Sequence, residues 1–530
     1  MRPTSQRIAL PLGLLPALCA LWGCSLSTTE QTACASDEVC ATAFGPRASC
    51  GADGYCNVPA VGSCAATADC RRSVGFGSSC DDGQCVDISA VPRCDARAYP
   101  EDLLESPDDH RERLVFGMLM DHGIEAHVQR ENAAELAASQ INAEHGIDGR
   151  QLGIIFCDVH GGDEDPYDDA LSRTDAAVAS AQWLVNVVEL PVVIGPASSG
   201  DTTRVYTDVV RPAGGRTLEI TPSGTSPSLT NLDPPATDDA PGLLWRSAPS
   251  ATQQGEIIAQ HMAERGQPSI SNVAIIHEDA AFGQAVAAAF GELWKQDFSG
   301  SFRVFDYGAG DIAELREQVT TVGGRIDEFH AVLILGQVDE MRVFMSAATD
   351  DPNYGDDLPI YLGDTGANTE IFKDASSDRL FDNILAATVD LPDSFVNTSF
   401  NDTFIDRYDA DPRDFSFTAN AYDAVWLAAL GAVWATYHGD GEEDAAGHRE
   451  VDGTSVARGL RRTAGGEAEI HFVKTEWPSG VAQLMAGSLI DVTGASGSHE
   501  WDPVTEEAPG PTALIRIDPE GTQTIVKQIP

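Results

Sequence analysis

The chain has 530 residues, 82 of them acidic and 33 basic, and a formal net charge of −49. That length is too great for one ordinary core and implies two or three folding units. The charge excludes nucleic acid as a partner, because phosphate binding needs a Lys/Arg surface. The acids are spread along the chain and read as a solvated surface.

Residues 1–23 read as a targeting segment. Arg2 and Arg7 form a charged start, and the apolar stretch from Ile8 to Trp22 is too short and too Pro-interrupted for a membrane span. It ends in "LWGC", which resembles a bacterial lipobox with Cys24 as the acylated first residue of the mature chain; Trp22 departs from the small residue usual there. The resemblance implies a lipid-anchored protein of the bacterial cell envelope, with lipid as its sole membrane contact. Ser25 stands where an Asp would mark retention at the inner membrane, so the outer membrane is favoured.

Nine cysteines follow between Cys34 and Cys94, and they repeat. Cys34, Cys40 and Cys50 recur 30 residues on as Cys64, Cys70 and Cys80, and Cys56 recurs as Cys85 with one residue deleted. Both copies place a Gly-containing turn before the last Cys. Small modules without an apolar core need disulfides, and an exported chain permits them. Zinc is the rival, but the spacings are too wide for close Cys pairs and no His lies among them. Four cysteines per copy allow three pairings each. Cys94 and Cys157 are left over; Cys157 ends a strand expected beside the one starting near Leu114, so these two are expected to pair and tie a stalk (24–95) to the body.

From Arg111 the texture is that of an α/β protein. "RLVFGMLM", "QLGIIFCDV", "PVVIGP", "TLEITPSGTSP", "NVAIIHED", "AVLILG", "PIYLGD" and "ILAATVD" are strand-like, and helical segments separate most of them. One helix is read over "ENAAELAASQINAEHGIDG" and another over Ala176 to Val188. Alternating elements of this kind build parallel sheets, and ligands bind beyond the carboxyl ends of their strands. Two such ends carry hydroxyls: Ser199 in "VVIGPASS", and Ser223 and Thr225 in "ITPSGTSP". Free N–H groups and hydroxyls behind a strand suit a carboxylate or phosphate. Further ends offer Phe282, Gln337, Asp364 and Thr365. Together they can line a pocket for a small polar solute. Other chemistry is thin. The 12 histidines form no H-E-x-x-H pair, and His122 and His127 read as solvated loop residues. "DVHGGDEDPYDD" lacks the spacing of a calcium loop. No nucleophile elbow, phosphate loop or dinucleotide fingerprint is present, so neither an enzyme nor a cofactor nor a metal site is expected.

From about Leu114 to Ile529 the chain resembles a type I periplasmic binding protein. In style it is similar to the substrate-binding lipoproteins of branched-chain amino acid ABC transporters. The resemblance is carried by "AAELAASQINAEHGIDGRQLGIIFCD", "VVIGPASS", "ITPSGTSPSLT", "VAIIHEDAAFG", "TANAYDAVWLAALGAV" and "GASGSHEWDPVTEEAPGPTALIRI", in that order. It implies two parallel-sheet lobes joined by three crossovers, preceded by the disulfide-rich stalk. The first lobe is expected over 112–246 plus 391–485, and the second over 247–390 plus 486–530. A ligand sits between such lobes, with Ser199, Ser223 and Thr225 as first-lobe contacts to its anionic group. Phe282 and Gln337 take the places of the family's tyrosines, Thr365 with Asp364 beside it takes that of the acid that meets an ammonium, and Ala126 that of a first-lobe aromatic. These departures predict a pocket that suits leucine, isoleucine and valine poorly. The implied function is capture of a carboxylate- or amino-acid-like solute for an ABC permease. Ligand sensing or adhesion at the outer membrane, with the stalk as partner surface, is the alternative.

Overall fold

A computed structural model describes residues 64–162, 166–167, 169–265, 269–443, 449–518 and 522–529, and before them 33, 34, 36, 39, 49, 50 and 54–57. Cys24 lies outside the described residues. The chain divides into two compact units, Met1–Ala60 and Val61–Pro530.

The repeat is visible inside each unit. In the first, Cys34 is bonded to Cys50, and Ser49–Cys50 pairs antiparallel with Cys56–Asn57. In the second, Cys64 is bonded to Cys80 and Cys70 to Cys85, across the hairpin of Ser78–Asp81 and Gln84–Asp87. The Cys34 amide donates to Gly54 O at 2.9 Å, and the Cys64 amide to Gly83 O at 3.1 Å. Both glycines have positive φ, 82° and 79°, a conformation that costs any residue with a Cβ. This explains why each copy keeps a glycine before its last cysteine. The sulfurs of Cys64, Cys70 and Cys85 lie within 4.8 Å of one another, but all three are spent in disulfides, which leaves no thiolate for zinc.

The expected stalk is not one piece, because the second repeat belongs to the larger unit. From its helix Thr67–Val74, Arg71 donates to Val188 O (2.6 Å) and Glu189 O (2.8 Å), and Thr67 to Val187 O (3.1 Å). Three carbonyls in the turn that follows the Arg173–Asn186 helix are thus satisfied by the module. Phe76 enters the apolar cluster of Val115, Ile155 and Val188, where the bonded pair Cys94 and Cys157 also lies.

The first lobe has a six-stranded sheet in the order Leu244–Arg246, Leu218–Thr221, Val192–Ile194, Leu114–Met120, Leu152–Asp158, Arg97–Tyr99. All pairings are parallel except that of the edge strand Arg97–Tyr99. Leu114–Met120 and Leu152–Asp158 bury every residue, as central parallel strands covered on both faces do. On one face the helix Glu125–Ala143 shares a core with the helix Thr418–His438. The small faces Ala133, Ala134, Ala137, Ala138 and Ala421, Ala424, Ala428 permit close packing. Thr418–His438 is apolar nearly all round and nearly fully buried.

The second lobe has seven strands in the order Ser301–Tyr307, Asn272–Glu278, Ala331–Leu335, Ile360–Leu362, Ile384–Val389, Thr512–Ile517, Gln523–Ile529. The first five run parallel, and the last two add an antiparallel hairpin. The chain crosses between lobes after Arg246, after Val389 and before Thr512. The third crossing comes later than the expected 485/486 boundary. Ile490–Thr493 pairs in parallel with Ala468–His471, and Ile490, Val492 and Ala495 are buried in the first-lobe core. No described helix is long and apolar enough to cross a membrane.

Candidate functional site

The hydroxyl loops lie where the lobes meet. After Val192–Ile194 the chain turns into the short helix Ser199–Val205, capped by Ser198, whose hydroxyl accepts from the Asp201 amide at 3.0 Å. Ser199 is buried, and its Oγ accepts from the Ser226 amide at 3.0 Å. After Leu218–Thr221, Ser223 donates to Ala197 O at 2.9 Å. The two loops are therefore stitched to each other.

Thr225 reaches across. Its hydroxyl donates to Asp364 Oδ2 at 2.7 Å, and Gln254 Nε2 donates to the same oxygen at 2.5 Å. Thr225 and Asp364 are each 1% exposed. Burial pushes the Asp364 carboxyl up, against the lowering effect of these two hydrogen bonds. Other contacts close the lobes around this pair: Ser226 Oγ to Ala281 O (2.8 Å), the Ala126 amide to Glu370 Oε2 (3.2 Å), and Arg173 Nη2 to Asp339 Oδ2 (2.7 Å). Ile124 and Ala126 pack among second-lobe residues such as Val338 and Met341.

The remaining sequence-derived residues divide. Thr365 is half-buried and donates to Gly336 O at 2.6 Å. Gln337, also half-buried, donates from Nε2 to Glu278 Oε1 at 3.0 Å. Glu278 lies behind it, its carboxyl pushed well up by burial and by the neighbouring charge of Glu340. Phe282 is 2% exposed and shares the second-lobe core with Val286 and Leu335. Its ring packs beneath Gly363, the residue before Asp364. It therefore supports the Asp364 loop from below.

Two histidine readings need correction. His127 is a buried residue of the Glu125–Ala143 helix, and its Nδ1 accepts from the Asp121 amide at 3.3 Å. Burial lowers its pKa well below the usual imidazole value, with the Arg130 charge adding to the effect. His122 is half-buried against Glu131 at 2.9 Å. At Asp121 itself burial acts upward, but the His160 hydrogen bond and the Arg173 charge outweigh it and hold the carboxyl well below its ordinary range.

The residue that sequence reading missed is Arg130. The helix starts at Glu125, well before the expected Glu131, so Arg130 sits within it. Its Nε donates to Ser416 O (3.0 Å), Nη1 to Ser223 Oγ (3.1 Å) and Nη2 to Ser416 Oγ (3.3 Å). Asn368 holds Ser416 from the second lobe, accepting from its amide at 2.7 Å and donating to its Oγ at 2.9 Å. The available signal was spacing: Arg130 falls four and seven residues before Ala134 and Ala137, on the buried stripe. Ser416 and Phe417 also border a cavity of about 630 Å³, whose other walls include Asp390, Asp393, Asp402 and Asp414.

Two α/β lobes joined by three crossovers and meeting at the ends of their parallel strands define a type I periplasmic binding protein fold. Substrate-binding proteins of branched-chain amino acid transporters are structural neighbours. One is LivJ of Streptococcus pneumoniae, solved in complex with isoleucine, with a TM-score of 0.57 and 20% identity over 78% of this chain and 98% of that one. In sequence, 163 residues are 32% identical to the Leu/Ile/Val-binding protein of Escherichia coli K12, spanning 30% of this chain and 37% of that protein's length. A substrate-binding protein of a chemotactic signal transduction system in Halobacterium salinarum, BasB, is 23% identical over 72% of this chain and 80% of its own length. No family model matches the chain.

Proposed function

We propose that the chain is an extracytoplasmic solute-binding protein that traps a small carboxylate- or amino-acid-like solute between its lobes for ABC-type uptake. The observation that carries this reading is the Thr225–Asp364 hydrogen bond. A first-lobe hydroxyl at a strand's carboxyl end already holds a carboxylate from the facing lobe, the chemistry a solute's anionic group requires. Ser199 and Ser223 lie on the same side; Gln337, Asp364 and Thr365 form the set opposite, with Phe282 supporting the Asp364 loop from below. The E. coli and S. pneumoniae relatives, named for branched-chain amino acids, support the solute class.

A thermal-shift screen of amino acids, small carboxylates and sugars tests this. A solute at 100 times its Kd should add about 2.7 kcal/mol to stability. Thr225→Ala should then weaken binding roughly ten- to a hundred-fold. Leucine, isoleucine and valine should be poor ligands if, as the resemblance implies, Gln337 and Thr365 replace the family's tyrosine and acid; tight leucine binding would refute that point. If no solute shifts the melting curve, the capture reading is wrong.

The cell-envelope address rests on Cys24 as a lipid attachment site. Cys24→Ser should move the protein from the membrane to the soluble envelope fraction, and continued membrane association would refute the anchor.

Ligand sensing through the same clamshell is a second reading, favoured by the similarity to the chemotactic protein, which spans far more of the chain than the E. coli match does. Deleting the gene separates the two. Uptake of the identified solute fails under the first reading; under the second, uptake persists and the response to the solute is lost.

A further inference from the structure

Among the described residues, the other buried arginines, Arg93 and Arg246, have carboxylate partners: Asp169 at 2.6 Å and Glu507. The half-buried Arg173 pairs with both Asp121 and Asp339. Arg130 differs. It is 2% exposed, yet its three hydrogen bonds all go to neutral oxygens of Ser223 and Ser416. Its guanidinium lies 5.3 Å from the centre of the Phe417 ring. A buried charge without a counter-ion is costly, and such a charge is retained where something else supplies the partner. Of its five N–H donors, one each on Nη1 and Nη2 remains.

We propose that Arg130 holds the anionic group of the captured solute, and that this group is a carboxylate. The inference rests on the solute-capture reading and adds to it a residue and a charge requirement. The position fits. Arg130 shares Ser223 with the first-lobe hydroxyl loop, and Ser416 ties it through Asn368 to the Asp364–Asn368 stretch of the second lobe. It therefore stands where closing lobes converge. The chemistry also fits, because a planar guanidinium fork with one hydrogen left on each terminal nitrogen matches the two oxygens of a carboxylate. A dianionic phosphate is disfavoured by the acids nearby: Asp364 and Glu370 are the charges Arg130 feels most, though neither forms an ion pair with it. Burial draws the guanidinium down to about 10, against the pull of these two carboxylates, so it remains cationic at neutral pH. The cavity beyond Phe417, where Asp390, Asp393, Asp402, Asp411 and Asp414 outweigh Arg413, is a poor home for an anion, so the carboxylate is expected at the Arg130–Ser223 contact instead.

The test is calorimetric titration of the full chain with acid and amide pairs: benzoate and benzamide, isovalerate and isovaleramide, leucine and leucinamide. The expected result is that at least one acid binds and its amide binds roughly a hundred-fold more weakly. Arg130→Gln should lower the affinity for that acid by a similar factor, and Arg130→Lys by less, since lysine keeps the charge and loses the fork. Circular dichroism checks that each variant is folded. The acid-to-amide ratio of the unaltered protein stands even if Arg130→Gln fails to fold. Equal binding of acid and amide, or an acid whose affinity survives Arg130→Gln, overturns the role of Arg130 and leaves solute capture intact. Absence of binding by every solute overturns the capture reading itself.

Discussion

Replacing both Cys94 and Cys157 by alanine should cost the larger unit about 4 kcal/mol. The two cysteines are fully buried, and their bond closes a 63-residue loop. In the chain-entropy treatment, releasing a loop of that size frees the unfolded chain by roughly that amount. The site offers no compensation. The two cysteines share an apolar cluster with Leu103, Val115, Ile155 and Val188, so the variant also gains a small apolar void. In the folded state the bond joins the segment that follows the second cysteine module to the end of the strand Leu152–Asp158. Urea unfolding of the double alanine variant checks the expectation. A midpoint equal to that of the parent, or two titratable thiols in the native parent, would contradict it.

Asp423→Ala should be comparably damaging, at roughly 2–6 kcal/mol. Asp423 lies within the Thr418–His438 helix, is fully buried, and holds the turn that leads to the third crossover. Its carboxylate accepts from the amides of Ala495 and Ser496, both at 2.8 Å, from the Ser496 hydroxyl, and meets His499 Nε2 at 3.3 Å. Alanine would strand two buried amides, at about 1–3 kcal/mol each. The approach is so close that a Cβ on Gly494 would lie 2.3 Å from the carboxylate, which accounts for glycine there. Beyond the turn, His499 stacks on Trp501, and Trp501 meets Trp245 edge-on at 5.0 Å. Loss of Asp423 should therefore loosen the crossover as well as the fold. Hydrogen exchange of the Ala495 and Ser496 amides is the sharpest check. Protection equal to that of the parent would contradict the assigned role.

The buried parallel strands were legible in the sequence because burial on both faces writes a continuous apolar run, as in "GIIFC" and "AVLIL". Edge strands were not. Ser301–Tyr307 exposes most of its residues and mixes polar with apolar, and Arg97–Tyr99 is three half-buried residues. The late crossover was misplaced because Ile490–Thr493 is a short strand whose partner, Ala468–His471, lies across a helix. Of the contact between the lobes, the hydroxyl loops were legible, since strand ends followed by small hydroxyl residues form a local pattern. The Thr225–Asp364 contact joins residues 139 apart, and nothing local marks it. Arg130 was hidden for a different reason: a lone arginine near a helix start reads as solvated until its place on the alanine stripe is counted.

The most direct test of solute capture is a crystal structure of the full chain with the tightest acid from the titrations. The account predicts that acid between the lobes, its carboxylate within hydrogen-bond distance of Arg130 and Ser223, and Asp364 on the facing side. An acid lodged instead among Asp390, Asp393 and Asp402, or on the outer surface of either lobe, would contradict it.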